Sequence, residues 1–415
     1  MSIKYDIGIV GGGPAGYTAA LHARKRGLSV ILFEKEQLGG VCLNKGCIPT
    51  KTILHSAEVY EQLLSSENLG ITSDCLKINF EKVIERKNQV VSKLGKGLEL
   101  ALKNSGTTVI KAKAELLDKN TILANGEKYV CEKIIVATGS EPRTFKGMDF
   151  DHKNILCSDD ILELTELPKS IAIVGSGAIG IEWARIFSAF QVGVTIIELA
   201  ENLLPVADVE VSKRIERIFK TKKINMYKSV AVEKIDYVST CNIHLNNGET
   251  IQAEKVLVAV GRKVAPYNKI EGVIYLGDIC EEIQLAHFAS KQAIEVIDGI
   301  NFDRTLVPSV VYGEPEIAWV GKREQDLEPE SYKKSMLLIS ALGKSHCDNS
   351  TDGFIKILSK DNKIIGAHIV SKEASALIQQ VLIAMQNNIS VDKLKEVCFA
   401  HPTYSEGIFE TLFGL

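Results

Sequence analysis

The sequence predicts an α/β protein in which two similar units built on βαβ segments are followed by a smaller α+β domain. Three observations favour this. The strand-like YDIGIV, the glycine-rich GGGPAG, a helical segment and the strand-like SVILFE follow one another within residues 1–34. The same order returns over 170–198 as SIAIVG, GSGAIG, IEWARIFSAFQ and VGVTIIE. Beyond residue 303, short alternating stretches such as PSVVYGEPEIAWVG indicate an antiparallel sheet.

Both repeats contain a glycine turn of the kind that binds a dinucleotide. Such a turn needs glycines so that the chain can turn tightly and approach a pyrophosphate, whose charge the free N–H groups at the helix start then bind. A lone motif would be weak evidence, but two in register favour two Rossmann-like domains. The shared pattern, G-x-G-x-x-G with a glutamate ending the next strand, falls at Gly11, Gly13, Gly16 and Glu34 and again at Gly175, Gly177, Gly180 and Glu198.

The second glutamate also bears on the choice of nucleotide. A carboxylate at Glu198 can accept hydrogen bonds from a ribose diol but would repel a 2′-phosphate, and no arginine follows it until Arg214. The second motif therefore favours NAD over NADP.

The pattern of strands predicts how the chain is divided. Apolar strands enter tight turns in IIVATGS (134–140) and VLVAVGR (256–262), and a long helix is predicted over 79–104. We expect one nucleotide-binding domain to be discontinuous, over 1–142 and 261–300. The second is expected over 143–260, and the α+β domain over 303–415.

Composition excludes several classes of function. The chain has 415 residues, enough for two or three domains, and 49 basic against 52 acidic residues give a net charge of −3. That balance provides no basic field for nucleic acid. Neither a leader nor a run long enough to span a bilayer is evident, so a cytoplasmic protein is predicted. Seven isolated cysteines are interpreted as small buried hydrophobes in a reducing compartment: Cys75, Cys131, Cys157, Cys241, Cys280, Cys347 and Cys398.

The two remaining cysteines, in GGVCLNKGCIPTK (39–51), have three possible roles: a structural disulfide, half of a metal site, or a redox pair. No H-x₃₋₅-H pair or further cysteine cluster supplies metal ligands, so no metal is predicted. A bridge between Cys42 and Cys47 would close too short a loop to stabilise the fold much. A redox-active pair is therefore favoured.

Local features support redox cycling. Helical periodicity begins near Cys47, and a thiolate at a helix start is stabilised by free amides and the helix dipole. Lys51 follows four residues later, on the same helical face. Cys47 is thus expected to have the lower pKa, and Cys42 to meet a substrate thiol or disulfide.

Together with IIVATGS, IYLGD (274–278) and AHPTYSE (400–406), these motifs make the chain resemble the flavoprotein disulfide reductases over nearly its whole length. Within that family it is most similar to the enzymes that oxidise dihydrolipoyl groups. The resemblance implies one non-covalent FAD per subunit in the first nucleotide domain and NAD as co-substrate in the second. It implies a Cys42–Cys47 redox disulfide and a substrate that is dihydrolipoamide or a lipoylated carrier protein.

The resemblance also implies roles for individual residues. Lys51, paired with Glu182, is expected near the flavin N5. His401 and Glu406 are expected to act as acid/base and orienting residue, contributed by the partner subunit of a homodimer built on 303–415. Further contacts are implied with FAD for Thr138, Gly139, Asp278 and Ala286 and with the nicotinamide nucleotide for Gly261.

Two hypotheses compete with the oxidation of dihydrolipoyl groups. One is an NADH-dependent reductase of another small disulfide, which would run the same relay backwards. The other is a structural subunit that binds the carrier of an acyl-transfer complex. The chain also departs from the family pattern in two places. Only 16 positions separate Gly261 from Gly277, and YGEPE (312–316) stands where Thr-His-Pro-Glu is usual.

Overall fold

The computed structural model describes residues 4–72, 75–280 and 283–415. The first unit is a sheet with helices packed on it. Parallel strands lie in the order β3-β2-β1-β6, and β5 and β4 extend the sheet antiparallel from β6. In chain order its elements are β1 (Lys4–Val10), α1 (Pro14–Lys25), β2 (Val30–Glu34), α2 (Gly40–Asn44), α3 (Cys47–Leu64), α4 (Phe80–Ser105), β3 (Thr108–Lys111), β4 (Ala114–Leu116), β5 (Thr121–Ala124), β6 (Glu127–Val136) and β7 (Glu141–Pro142).

The second unit repeats this plan. A five-stranded parallel sheet has the order β11-β10-β9-β15-β8, and β12, β13 and β14 form a separate antiparallel sheet. Its elements are β8 (Ile155–Leu156), β9 (Ser170–Val174), α5 (Ala178–Ala189), β10 (Gly193–Ile197), α6 (Val209–Thr221), β11 (Asn225–Tyr227), β12 (Val232–Tyr237), β13 (Cys241–Leu245), β14 (Thr250–Ala253), β15 (Lys255–Val258) and β16 (Arg262–Lys263).

The chain then returns to the first sheet, because the next strand pairs parallel with β6. The predicted domain boundaries stay a prediction. The C-terminal part is an antiparallel sheet of order β18-β19-β22-β21-β20, as the alternating pattern predicted. In chain order, the elements from the returning strand onward are β17 (Ile274–Tyr275), α7 (Ala286–Asp298), β18 (Ser309–Val311), β19 (Glu316–Gly321), β20 (Lys333–Leu338), α8 (Gly343–Cys347), β21 (Phe354–Lys360), β22 (Lys363–Ser371), α9 (Ala374–Gln386), α10 (Val391–Lys395) and α11 (Glu406–Leu412). The first two of these, β17 and α7, pack with the first unit.

The two glycine turns match each other in detail. Gly11 and Gly175 have φ angles of 104° and 99°, which only glycine adopts easily. A Cβ atom on Gly16 would lie 1.9 Å from the Gly11 carbonyl oxygen, and one on Gly180 would lie 2.0 Å from that of Gly175. The last glycine of each motif therefore lets the helix pack against its own turn, as the sequence predicted.

The prediction that the isolated cysteines are buried is wrong for several of them. Cys131, Cys157 and Cys241 are buried, but Cys75, Cys347 and Cys398 are exposed and Cys280 is half-buried. The exposed ones lie in loops or at the end of a short helix, where tertiary packing decides exposure and local sequence does not.

The length and polarity of the helices bear on whether any of them could span a membrane. Every helix in the described ranges is too short or too polar to cross a bilayer. The predicted cytoplasmic location stays a prediction.

A buried ion cluster joins the second unit to the C-terminal sheet. Lys356 on β21, almost completely buried, donates to Asp208 at 2.8 Å and to Glu324 at 2.5 Å. Asp208 also accepts from the backbone N–H of Glu210 at the start of α6 and from that of Glu324. Asp208, which caps α6 in the second unit, is thus the counter-ion of Lys356 in the C-terminal sheet.

We expect Lys356→Met to lower the free energy of unfolding by about 3 kcal/mol, because it leaves Asp208 buried without its cation. Urea unfolding followed by circular dichroism measures this. Lys393→Met is the control, since the Lys393–Glu396 pair is exposed and should contribute less than about 0.5 kcal/mol. Equal losses in the two variants would contradict the role of the cluster.

Candidate active site

The first glycine turn has the shape of an adenosine diphosphate site. One oxygen of Glu34 accepts from the Gly12 N–H at 2.7 Å and the other from the Glu36 N–H at 2.8 Å, so the carboxylate is fixed at the strand end. A Cβ on Gly13 would find its nearest atom 3.8 Å away, which leaves the helix start open. A cavity of about 680 Å³ lies beside Glu34, lined also by Leu38, Asn44, Lys96, Lys103 and Lys111. These features fit the adenosine end of FAD.

The turns that carry the predicted flavin contacts Thr138, Gly139 and Asp278 are joined by polar side chains. The Ser140 hydroxyl donates to Asp278 at 2.6 Å and accepts from Arg262 Nε at 2.8 Å. Arg262 also donates to the Ser140 carbonyl at 2.6 Å, which joins the two turns that follow β6 and β15. The sequence analysis missed Ser140 and Arg262, although each directly follows a glycine turn that it singled out.

Ala286 and Gly261 complete the predicted set of nucleotide contacts. Ala286 is the first residue of α7, which packs along α1 and bonds to it through Ser290 and Thr18 at 3.2 Å. Gly261 has a φ angle of 101° and open space around the position of a Cβ. The roles of both residues stay predictions.

Cys42 and Cys47 lie near each other on two consecutive helices, on either side of the turn that joins them. Cys42 is in α2, a short helix that the sequence analysis did not anticipate, and Cys47 is the first residue of α3. A Cβ on Gly40 would lie 2.8 Å from the Gly13 Cα, so α2 passes directly against the first glycine turn. The cysteine pair is therefore held next to the proposed flavin site, and both sulfurs are free thiols here.

The two thiols differ in acidity. A hydrogen bond from Cys42, reinforced by the charge of Lys51, lowers the pKa of Cys47 to about 7 against the opposing effects of burial and Glu182. The same hydrogen bond, with burial, raises the pKa of Cys42. Cys47 is thus the more acidic thiol of the pair, in the order that the sequence predicted.

Lys51 is anchored across the boundary between the first two units. Its ammonium donates to Glu182 Oε2 at 2.7 Å, and that carboxylate is almost fully buried on α5. The backbone N–H of Tyr312 donates to Glu182 Oε1 at 3.1 Å, and the Tyr312 ring centre lies 4.8 Å from the ammonium. The structure thus brings together the predicted Lys51–Glu182 pair and adds Tyr312, which the sequence analysis missed.

Tyr17 is a second residue that the sequence analysis missed near the cysteines. Burial and the neighbouring charges of Cys42 and Cys47 raise the pKa of its phenol. Its position directly after Gly16 in the glycine motif was the available signal.

His401 is exposed, and its ring is oriented by Glu406. Its Nδ1 is 2.8 Å from Glu406 Oε1, and the other oxygen of Glu406 accepts from the Thr403 N–H at 2.8 Å. Those two contacts, the Thr403 bond first, lower the pKa of Glu406. The imidazole is 76% exposed, and none of the hydrogen bonds found for the described residues links it to Cys42 or Cys47.

The second glycine turn has the same polar arrangement as the first. Glu198 accepts from the Ser176 N–H at 2.7 Å and from its hydroxyl at 2.6 Å. Gly177 caps α5 with ordinary φ and ψ angles, and a Cβ there would have no atom within 4 Å. Arg214, the first arginine after Glu198, is engaged with Asp352 at 2.5 Å. The site therefore fits a nucleotide with a free ribose diol.

One cluster outside this site has atoms that could bind a metal. His152, Cys157 and Asp160 place their potential ligand atoms within 4.8 Å of one another. Asp160 accepts from the Cys157 N–H at 2.8 Å and contacts His152 at 3.0 Å, so it joins the short turn that it begins to the residues before it. These hydrogen bonds account for the cluster.

Comparison of the sequence with known protein families identifies the family of this chain. A model described as "Pyridine nucleotide-disulphide oxidoreductase" matches residues 5–271, and the model of its dimerisation domain matches residues 307–412. The chain belongs to the pyridine nucleotide-disulphide oxidoreductase family. The predicted α/β fold and a FAD- and NAD-dependent oxidoreductase are thereby confirmed. The dimerisation domain supports the predicted homodimer.

Curated relatives cover almost the whole chain. A dihydrolipoyl dehydrogenase of Bacillus subtilis is 35% identical over 466 aligned positions, which cover 99% of this chain and 98% of the relative. A dihydrolipoamide dehydrogenase of Chaetomium thermophilum is 33% identical, and the match covers 98% of this chain and 90% of the relative.

Solved structures show the same fold. LpdA from Mycobacterium tuberculosis superposes with a TM-score of 0.91 at 23% identity, covering 100% of this chain and 99% of its own. The HOCl-induced flavoprotein disulfide reductase RclA from Escherichia coli superposes with a TM-score of 0.88 at 24% identity, covering 99% of both chains.

Two glycines of the second turn should respond differently to substitution by alanine. Gly177→Ala should leave the unfolding transition unchanged but weaken NADH binding at least about tenfold, because a methyl group would occupy the open approach to the helix start. Gly180→Ala should instead destabilise the fold by about 2 kcal/mol, since its Cβ meets a carbonyl oxygen at 2.0 Å. Fluorescence titration with NADH and thermal unfolding separate the two effects. Unchanged NADH affinity in the Gly177 variant would show that the nucleotide does not bind there.

Proposed function

We propose that this protein oxidises dihydrolipoyl groups to the cyclic disulfide, with NAD as the electron acceptor and Cys42 and Cys47 as its redox pair. The observation that carries the proposal is the placement of this pair beside the first glycine turn, with the Lys51 ammonium anchored to Glu182 at 2.7 Å. The hydrogen bond within the pair and the charge of Lys51 lower the pKa of Cys47 to about 7, while the pKa of Cys42 is raised. Full-length relatives named dihydrolipoyl dehydrogenase support the choice of substrate.

The first step is thiol–disulfide exchange. A thiolate of the substrate attacks the sulfur of Cys42 in the oxidised pair, and Cys47 leaves as the thiolate. Cys47 is the better leaving group because its pKa is the lower of the two. The second thiol of the substrate then attacks its own sulfur in the mixed disulfide, which releases the cyclic product and Cys42.

Proton transfer is assigned to His401. An imidazole beside the exchange site takes the proton of the attacking substrate thiol and passes it on. Glu406 fixes the ring through Nδ1 and leaves Nε2 to act. The imidazole is exposed, and among the described contacts it has no hydrogen bond to the cysteines of its own chain. Because the region that contains it also matches a dimerisation domain, we propose that it serves the cysteines of the partner subunit.

The residues that would hold the cofactors follow from the two glycine turns. Gly11, Gly13, Gly16 and Glu34 would hold the adenosine diphosphate of FAD, and Gly175, Gly177, Gly180 and Glu198 that of NAD. The chemistry that bound FAD supplies is two-electron transfer from the reduced cysteine pair to NAD. Overall, the substrate loses two electrons and two protons, NAD gains a hydride, and one proton is released.

The dihydrolipoyl group can be presented to the enzyme in two forms. We infer that the substrate is a lipoyl group on a carrier protein or free dihydrolipoamide. Assays with dihydrolipoamide, glutathione disulfide and coenzyme A disulfide separate dehydrogenation from the reduction of another small disulfide. Turnover of glutathione disulfide or coenzyme A disulfide without turnover of dihydrolipoamide would refute the proposed substrate.

His401→Gln should lower turnover of dihydrolipoamide by roughly 10² or more, since it removes the proposed general base while leaving the cysteines intact. Steady-state kinetics with NAD measures the loss. His244→Gln is a matched control, because that histidine lies in the separate antiparallel sheet, where it contacts Asp236 and Thr250. Wild-type turnover in the His401 variant would end its assignment.

Mixing two inactive homodimers tests whether the site is shared. In a hybrid of Cys47→Ser and His401→Gln subunits, one of the two sites combines an intact cysteine pair with an intact partner histidine. Random exchange of subunits should therefore restore about a quarter of wild-type turnover, because half of the dimers are hybrids with one complete site. No recovery after verified subunit exchange would place His401 with the cysteines of its own chain.

A further inference from the structure

Arg185 is a buried cation that the proposed chemistry does not use. It lies on α5 one turn after Glu182, and only 4% of its surface is exposed. Its Nη1 donates to the carbonyl oxygens of Tyr312, at 3.2 Å, and Pro315, at 2.7 Å. Among the described residues, its Nε and Nη2 have no hydrogen-bond partner. A buried arginine with unsatisfied donors is costly, so its retention calls for a function.

Gly313 is the residue that makes room for this arginine. A Cβ on Gly313 would lie 2.5 Å from both Cδ and Nη1 of Arg185, and Gly313 has a φ angle of 139° that disfavours any side chain. Gly313 belongs to the YGEPE segment at 312–316. The missing side chain at Gly313 is therefore what allows Arg185 to occupy its buried position.

The guanidinium stays charged in this position. Burial lowers the pKa of Arg185 to about 10, opposed by the charges of Glu182, Glu58, Glu314 and Glu61, in that order. Of these glutamates, Glu182 lies on the same helix as Arg185, three residues before it. The arginine therefore provides a fixed positive charge behind the carboxylate that holds Lys51.

We propose that Arg185 is a positioning residue for the Lys51–Glu182 pair and thereby for the Cys47 thiolate. It fastens the 312–315 turn through two carbonyls, and that turn directs the Tyr312 N–H to Glu182 Oε1. With one oxygen held by Tyr312, Glu182 offers the other to Lys51 at 2.7 Å. The contacts therefore run without a break from Gly313 and Arg185 to the ammonium beside Cys47.

The proposal rests on the function proposed above only in assigning importance to the Cys47 thiolate. The groups that act most strongly on this thiolate are Cys42 and Lys51 on the redox helices and Glu182 on α5. The phenols of Tyr17 on α1 and of Tyr312 also interact with its charge. Loss of Arg185 would free the turn and loosen Lys51, and it would also leave Glu182 less compensated. Both changes raise the pKa of Cys47.

The experiment measures the Cys47 thiolate directly. Thiolate absorbance is titrated with pH in the flavin-containing Cys42→Ser protein, and the same titration of the Cys42→Ser/Cys47→Ser protein is subtracted. Adding Arg185→Met should shift the Cys47 titration upward by about half a pH unit or more, since it removes both the charge and the clamp. Because no substrate is used, failure of the dihydrolipoamide assays would leave this result standing.

Three further variants separate the clamp from overall stability. Arg185→Lys keeps the charge and should restore most of the wild-type titration. Arg185→Gln removes the charge but keeps a donor for the turn, so it should also shift the titration upward, and it replaces the methionine variant if that protein does not fold. Lys356→Met is the matched control: it removes another buried cation, far along the chain, and should lower stability without moving the Cys47 titration. An unchanged Cys47 titration in whichever neutral variant of Arg185 folds would overturn the proposal.

Discussion

The ion pair between Lys51 and Glu182 is the interaction on which the rest of the site depends. It joins the helix that begins with Cys47 to the helix that follows the second glycine turn, so one 2.7 Å contact relates the redox pair to both nucleotide-binding units. Breaking it would leave the buried Glu182 carboxylate without its direct ion-pair partner, which costs far more than the loss of a surface pair. The pair also sets the local field, because Lys51 favours the Cys47 thiolate and Glu182 opposes it.

Duplication explains why the two units share one arrangement of glycine turn and glutamate. Each glycine turn ends a strand at the centre of its sheet, and each fixes its glutamate with the same backbone bond of 2.7 Å. In the first unit, the short α2 then lies against the turn, which places Cys42 and Cys47 beside it. In the second, the helix after the turn supplies Glu182. The two repeats thus share a fold, while their side chains have diverged to different tasks.

Local signals allowed much of this site to be predicted from the sequence. Glycines at fixed spacing and a cysteine at a helix start act through nearby backbone, so the turns, the pair and the order of the two thiol pKa values could be inferred. Tyr312, Arg185, Ser140 and Arg262 could not. Arg262 reaches Ser140 across 122 positions and Arg185 reaches Pro315 across 130, and no local pattern encodes such contacts. The prediction that the isolated cysteines are buried was wrong for Cys75, Cys347 and Cys398, because burial too depends on tertiary contacts that local sequence does not encode.

The visible absorption spectrum of the flavin-containing protein tests the central claim most directly. A thiolate in contact with an oxidised flavin produces a long-wavelength band, so the Cys42→Ser protein should show this band, and the band should gain intensity as the pH rises and Cys47 ionises. The Cys47→Ser protein should bind the same flavin without the band. A band in both proteins, or in neither, would contradict the account.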